Sequence, residues 1–235
     1  MSSELARMVS YLKKKKKILF LTTSNRWVGD KEIPKSSRVA QAIAKAVGPD
    51  KVKVIDVSKL KIYHCEGNIS RKDGNNCGVL EAQLKDKLKN PSGHHRCWAS
   101  TNNKDDELWK ISKELFKSDC LVFFGSVRWG QMNAHYQKLI ERLSWLENRH
   151  STLGEKNILQ KISAGIVIIG QNWNGKNILA TQKQVLSFFG FNQVDDLSWH
   201  WQFTQDANDE SPESYLRAND KFEKEILIKI KEKLK

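Results

Sequence analysis

Residues 119–142 read DCLVFFGSVRWGQMNAHYQKLIER, and the hydrophobic pattern changes character twice within them. The first part, CLVFF at 120–124, is an unbroken apolar run containing Val and Phe. That is the pattern of a strand covered on both faces in the middle of a parallel sheet. Gly125 stops the run, and residues 126–133 read as a loop holding Trp129 and Gly130. From Ala134 onward Tyr136, Ile140 and Leu143 recur among Gln137, Lys138, Glu141 and Arg142, which predicts a helix. Strand, loop and returning helix make half a βαβ unit. In open α/β sheets ligands sit outside the carboxyl ends of the strands, so the 126–133 loop is the first place to look for chemistry.

Working outward, residues 17–22 are apolar and β-branched and read as the first strand, followed by a polar loop at 23–35 with Gly29 and Pro34. Ser36 and Ser37 are natural N-cap residues before the helical run Val39, Ala42, Ile43, Ala46, Val47, which Gly48-Pro49 ends. Residues 51–57 alternate Val and Ile with polar residues, a second strand. From 58 to 104 the pattern dissolves into Gly, Asn and Pro, with one modest helix expected at 79–88. Loops this long in a compact domain are usually functional and often cover a site. Asp105-Asp106 then open a helix at 108–116, the acidic pair suiting its positive end.

Beyond the central unit, residues 162–169 form another wholly apolar strand, a loop at 171–175 leads into a helix at 178–188, and a Trp-rich last strand spans 194–203. A turn at 206–212 precedes a charged helix at 212–234, and residues 1–12 can form a short amphipathic helix. The alternation predicts one doubly wound α/β domain over 1–235, with five parallel strands, an insertion at 58–104 and a C-terminal helical extension at 205–235.

Composition sets bounds on function. Hydrophobic content of 39% with 29% charged residues is ordinary for a globular protein. No apolar run approaches the roughly 20 residues of a membrane helix. The lysines at 13–17 precede too short an apolar stretch for a secretory signal, so the expectation is a cytoplasmic protein with no membrane partner. The formal charge of +13 suits anionic small ligands as well as nucleic acid. Without a zinc-finger, helix-turn-helix or RNP-like signature, no nucleic-acid partner is expected.

Three loops leave the carboxyl ends of the first, third and fourth strands, and a strand order of 2-1-3-4-5 would set them side by side at the switch point. The first offers Thr23, Ser24, Arg26, Ser36, Ser37 and Arg38 leading onto a helix N-terminus, which suits a phosphate. The plainer alternative is a capping serine pair with surface arginines. The second supplies the flat ring of Trp129, with Gly130 allowing close backbone approach, and the third places Trp173 between two asparagines. A phosphate cradle beside two Trp-bearing loops suggests a phosphorylated aromatic cofactor, although a lone loop Trp commonly packs beneath its own loop.

SVRWGQMNAHYQKLIERL at 126–143 resembles the segment of flavodoxin-like NAD(P)H-dependent FMN reductases written P-V-Y-W-G-x-M-x-x-x-x-K-x-x-x-D-R. Trp129, Gly130 and Met132 stand in place, and Glu141-Arg142 stands for the Asp-Arg pair. TSNRW and SSRVAQAIA, within 23–44, are similar to that family's first loop and helix, and DDELWKISKELFKSDCLVFFG at 105–125 to its acidic pair, helix and third strand. The likeness runs from 17 to 203. Ser126 replaces the usual Pro, Arg128 the usual Tyr and Gln137 the usual Lys, and the loop between Arg26 and Ser36 is longer than typical.

The resemblance implies a flavodoxin-like fold that binds FMN noncovalently, its phosphate at Ser24, Arg26, Ser36, Ser37 and Arg38. The ring would lie between Ser126, Val127, Arg128, Trp129, Gly130, Gln131 and Met132 on one side and Gln171, Asn172, Trp173 and Gly175 on the other. Hydride would pass from NADPH or NADH to FMN and electrons onward to a small acceptor such as a quinone, flavin or nitro compound, with no catalytic side chain required. Members commonly form homodimers or higher homo-oligomers. The alternative within the fold is a flavodoxin-type electron carrier, though the basic charge and long insertion favour an enzyme handling anionic NAD(P)H.

In the insertion, His95 and Arg96 are candidates for placing a substrate. His64, Cys65, Cys77, His94, His95 and Cys97 are chemically able to bind metal, yet only the His-His-x-Cys group is closely spaced, so no metal is expected. The compact four-cysteine motif of related iron–sulfur flavoproteins is missing. Ser126 lacks the G-x-S-x-G elbow of a hydrolase. Trp199 and Trp201 are expected in the core or at a subunit contact.

Overall fold

The structure, a computed structural model, describes residues 2–26, 29 and 31–232. Its centre is built from the strands that read as continuous apolar runs. β1 (Ile18–Thr22) and β5 (Ser163–Gly170) are buried along their whole length, as are the first six residues of β3 (Cys120–Arg128). β2 (Val52–Asp56), whose sequence alternates, is the half-exposed edge strand. The short strands β4 (Gln131–Met132), β6 (Asn192–Gln193) and β7 (Trp199–Gln202) complete the sheet. Its order is β2-β1-β3-β5-β6, with β7 also paired to β5 and β4 to β3, and every pairing but β3–β4 is parallel. With β5 as the fourth strand and β6 and β7 together as the fifth, this is the expected 2-1-3-4-5 order.

The last strand is broken where the sequence reads as continuous. A single helical turn, Asp195–Leu197, separates β6 from β7 and sits directly on Gly165 of β5. A Cβ at Gly165 would lie 2.3 Å from Leu197 Cβ and 2.4 Å from its carbonyl oxygen. The bare backbone of β5 therefore admits a turn where a ladder would otherwise continue.

Alternate strand residues point to opposite faces, and each face has its own core. Ile18, Phe20, Val122 and Phe124 pack against α1 (Ser2–Lys13), α2 (Lys35–Val47) and α7 (Pro212–Phe222). Trp199 and Trp201 belong to this core, Trp199 donating to Met8 Sδ and Trp201 to Glu225 Oε2. The C-terminal helix continues through a π-helical stretch, Glu223–Ile228, into its last turn, Lys229–Glu232; the end of the expected 212–234 helix lies outside the described residues. On the other face Leu19, Leu21, Leu121 and Phe123 meet α4 (Leu108–Leu115), α5 (Ala134–Ser151) and α6 (Gly175–Phe188). No helix among the described residues is long and apolar enough to cross a membrane.

The 58–104 segment packs flat against α4 and α5, holding one short helix, α3 (Trp98–Asn102). The helix expected at 79–88 is not formed: only Leu80–Ala82 makes a turn. Gln83 bridges to Arg96 and the Leu84 N–H donates to the His95 carbonyl, so the backbone is drawn into cross-chain pairing. Leu80 and Leu88, two of the residues that suggested a helix face, are exposed.

One ion pair ties this segment down. Arg142 of α5 grips Asp106 through two hydrogen bonds of 2.8 and 3.0 Å, both side chains fully buried. Arg142 also donates to the Tyr63 carbonyl (2.7 Å) and to Ser100 Oγ (2.9 Å). Burial alone would raise the Asp106 carboxyl, but the Arg142 hydrogen bonds and charge, with Ser100 and the Tyr63 N–H, hold it below the ordinary carboxylate range. A depressed carboxylate stabilises the fold above its unfolded pKa, and that contribution is lost as pH falls through the folded value. Asp106→Ala strands the buried guanidinium and should lower the unfolding free energy by about 3–5 kcal/mol at neutral pH in urea titrations. The wild-type advantage should shrink as the titration is repeated below pH ~4.

Candidate functional site

β3 runs past the expected stop at Gly125 and turns back on itself. Val127 pairs with Met132 and Arg128 with Gln131, so the loop expected at 126–133 is a tight hairpin whose two-residue turn is Trp129-Gly130. Both turn residues have positive φ, +48° and +67°, the geometry that two-residue hairpins require. Asn-Gly is the usual solution. A left-handed Trp costs about 1–2 kcal/mol, and here its ring is 92% exposed, with little packing to offset that cost.

Under the hairpin the chain is closely fitted. A Cβ at Gly125 would come within 2.4 Å of Met132 Cε, so Met132 is buried below the turn and does not reach the rim. Asn133 caps α5 by accepting the Tyr136 N–H at 3.2 Å. Its amide donates to Thr23 Oγ1 at 3.0 Å, and Thr23 in turn donates to the Phe124 carbonyl. The ends of β1 and β3 are thereby held in register.

The loop after β5 meets the hairpin from the other side. Asn174, at φ +65°, donates from Nδ2 to the Gly130 carbonyl at 2.8 Å. The Trp173 ring lies so close that a Cβ on Gly130 would sit 2.5 Å from it. Asn172 is buried and turned toward residues 207–210, donating to the Ala207 carbonyl and to Glu210. Gln202 holds this loop from β7, donating to the Asn172 carbonyl and accepting the Gly175 N–H. Gln171 donates to Ser214, which brings the C-terminal extension to the same rim.

At the end of β1 the structure offers hydroxyls and an open helix terminus. Ser36 donates to Ser24 Oγ at 2.7 Å and Ser24 to Ser126 Oγ at 3.0 Å, a chain linking the first and second loops. α2 begins after Pro34, which has no capping side chain, and carries no acidic residue in its first turn. Among the described residues no side chain caps this terminus, so its first N–H groups and the positive end of its dipole suit an anionic acceptor. Lys35 stands at this terminus. Burial pushes its ammonium below the ordinary range, Glu32 opposes this, and the charges of Arg26 and Arg38 push it further down.

The cleft between these elements has a volume of about 150 Å³ and is lined by Ser24, Asn25, Arg26, Pro34, Lys35, Ser36, Ser126, Val127, Arg128, Ile169, Gly170, Gln171, Trp201 and Tyr215. The structure brings Ser24, Arg26, Ser36, Ser126, Val127, Arg128 and Gln171 together here, with Trp129, Gly130, Trp173 and Gly175 in the two abutting loops. Other sequence-expected residues lie elsewhere. Arg38 pairs with Glu223 over the Phe222 ring, and Gln131 faces solvent on β4. Ser37 lies on the far side of the α2 terminus.

His95 and Arg96 line no part of the cleft. The His95 ring is buried against Trp145 with Nδ1 2.6 Å from Ser112, and burial drives its pKa down to about 3. Arg96 pairs with Glu155 at 2.5 Å. No group of three His, Cys, Asp or Glu side chains among the described residues is placed to hold a metal ion. Sequence reasoning missed Lys35, Asn25 and Tyr215. Lys35, directly before the serine pair, carried a readable signal; Tyr215 arrives from a helix 180 positions later in the chain and carried none.

No family model matches the sequence, and no curated protein sequence matches it either. Solved structures do resemble it in fold. RosB with its bound 8-demethyl-8-formylriboflavin-5'-phosphate intermediate superposes at a TM-score of 0.58 and 13% identity, over 93% of this chain and 75% of the other. An azoreductase from Bacillus anthracis str. Sterne gives 0.52 and 12% over 93% and 97%, and azoreductase AzrA 0.50 and 11% over 93% and 97%. At these identities the likeness establishes the doubly wound, flavodoxin-like fold.

Replacing Trp129 with Asn, a residue that tolerates the left-handed turn, should raise the unfolding free energy by about 1 kcal/mol in urea titrations. A loss of stability instead would show that the exposed ring is anchored by packing.

Proposed function

We propose that the chain is an FMN-dependent oxidoreductase that accepts hydride from NADPH or NADH and delivers electrons to a small acceptor. The observation that carries this reading is the meeting, at one rim, of an uncapped helix terminus with its Ser24–Ser36 hydroxyl pair and a hairpin that holds a strained Trp in solvent. A helix N-terminus without acidic residues or a side-chain cap suits a phosphate, and the names of the fold's neighbours, two azoreductases and a protein holding a flavin phosphate, agree with the reading.

The residues present suit FMN unevenly. At the phosphate end, Ser24, Ser36, Lys35 and the first-turn N–H groups of α2 supply donors and positive charge. At the ring end the cleft, about 150 Å³, is smaller than the roughly 300 Å³ of ordinary ligand pockets. Trp173 lies against Gly130 in the space between the two loops, and accommodating the ring requires that contact to open. FMN, when bound, supplies two-electron acceptance from a nicotinamide and one- or two-electron release to an acceptor. The chain's part is to hold the phosphate, present Trp129, Arg128 and Tyr215 at the mouth, and attract an anionic donor with its positive field. A homodimer fits this reading, since an exposed Trp at a hairpin tip is a natural subunit contact.

The test is reconstitution with FMN followed by stopped-flow mixing with NADPH or NADH. The expected result is stoichiometric binding and bleaching of the flavin band; binding without bleaching would indicate an electron carrier, and no binding would end the flavin reading. Ser36→Asp, which sets a carboxylate against the phosphate, should weaken FMN roughly 100-fold, or ~2.8 kcal/mol, in fluorescence titrations.

A further inference from the structure

Across the α2 terminus from the flavin cleft lies a larger cavity, about 670 Å³, at the carboxyl ends of β1 and β2. Ser24, Asn25, Arg26 and Pro34 line both cavities, so a phosphate in the cradle would lie on their common border. Ser37 faces the larger one; it is 6% exposed and its Oγ has no hydrogen-bond partner. A buried hydroxyl left unpaired costs about 1–3 kcal/mol, which a ligand oxygen would relieve.

The other walls are chemically divided. Val54 of the edge strand gives an apolar flank. Asp56, at the end of β2, uses Oδ1 for the Ser58 N–H and hydroxyl, while its Oδ2 lies 3.9 Å from Lys59 Nζ. His135, at the start of α5, faces the same space. Burial and Lys138 hold its imidazole below the ordinary range against the pull of Asp56, so at neutral pH it presents an uncharged ring.

We propose that this cavity is a subsite for a nucleoside monophosphate, the half that a dinucleotide adds to the phosphate in the cradle. The Asp56 carboxylate and His135 imidazole suit a ribose diol, Val54 a base, and Ser37 and Lys59 phosphate oxygens. The assignment rests on the reading of the α2 terminus as a phosphate cradle. Two dinucleotides carry such a half, a flavin dinucleotide and the nicotinamide donor.

Calorimetric titration of the full chain with AMP, with and without FMN, separates the possibilities. Saturable AMP binding is expected, with His135→Ala and Lys59→Glu each weakening it at least about tenfold while leaving FMN affinity within about twofold. Displacement of AMP by FAD but not by FMN assigns the half to the flavin; displacement by NADPH or NADH from the FMN-loaded protein assigns it to the donor. A protein that binds FMN but not AMP overturns the subsite and leaves the flavin reading intact, whereas AMP binding without flavin binding does the reverse. AMP binding that ignores both substitutions, or that no dinucleotide displaces, also overturns it. Should His135→Ala fail to fold by circular dichroism, Lys59→Glu, on a side chain 82% exposed, decides the matter.

Discussion

Arg142 and Asp106 pair with both side chains wholly buried, and the course of the long segment between β2 and α4 depends on that pair. Buried donors need protein acceptors, and the two terminal nitrogens of Arg142 find them in Tyr63, Cys97, Ser100 and Asp106, while Nε is left without one among the described residues. The long segment between β2 and α4 has almost no regular structure of its own, so its course is set by what α5 offers it. Further along α5, Arg149 repeats the device, bonding Glu155 and the His94 carbonyl. Because α5 also begins at Asn133, the residue that joins the ends of β1 and β3, the same helix both pins the insertion and sets the floor of the rim.

The rim itself is held by close approach more than by apolar burial. Gly125 admits Met132, Gly130 admits Trp173, and Gly175 admits Gln202, each so close that a Cβ there would force the neighbour to shift. Against this close fit, the left-handed and exposed Trp129 stands out as the strained point of the rim. Strain of this kind is commonly found where a protein has to present a group to something outside itself. The uncapped α2 terminus belongs to the same pattern: two local rules of good folding are set aside within one cleft.

Much of the architecture was legible from hydrophobic period alone. CLVFF at 120–124 and the apolar run at 162–169 announced central strands, and both are buried there. What failed was local geometry decided by distant partners. Trp129-Gly130 did not read as a hairpin because a bulky aromatic is a poor turn former, and the 79–88 pattern was overridden by pairing with residues 93–96. Nothing near Gly165 in the sequence shows that a turn 30 positions on will rest upon it. At the site, the hydroxyls of Ser24 and Ser36 were readable from the polar loop that leads onto a helix start, whereas Ser126 came only through the resemblance of its segment to a known family. The diversion of Arg38 to Glu223 and the arrival of Tyr215 depend on where the C-terminal helix lands, which no local pattern encodes.

That landing has a consequence for how the molecule comes into being. The cleft gathers Ser24, Ser126 and Tyr215, residues widely separated along the sequence. A growing polypeptide therefore owns no complete pocket until the helix that carries Tyr215 has been made and has docked. Whatever occupies the cleft recognises only the finished topology, so its binding energy adds to the global stability of that state and does nothing for partly made ones.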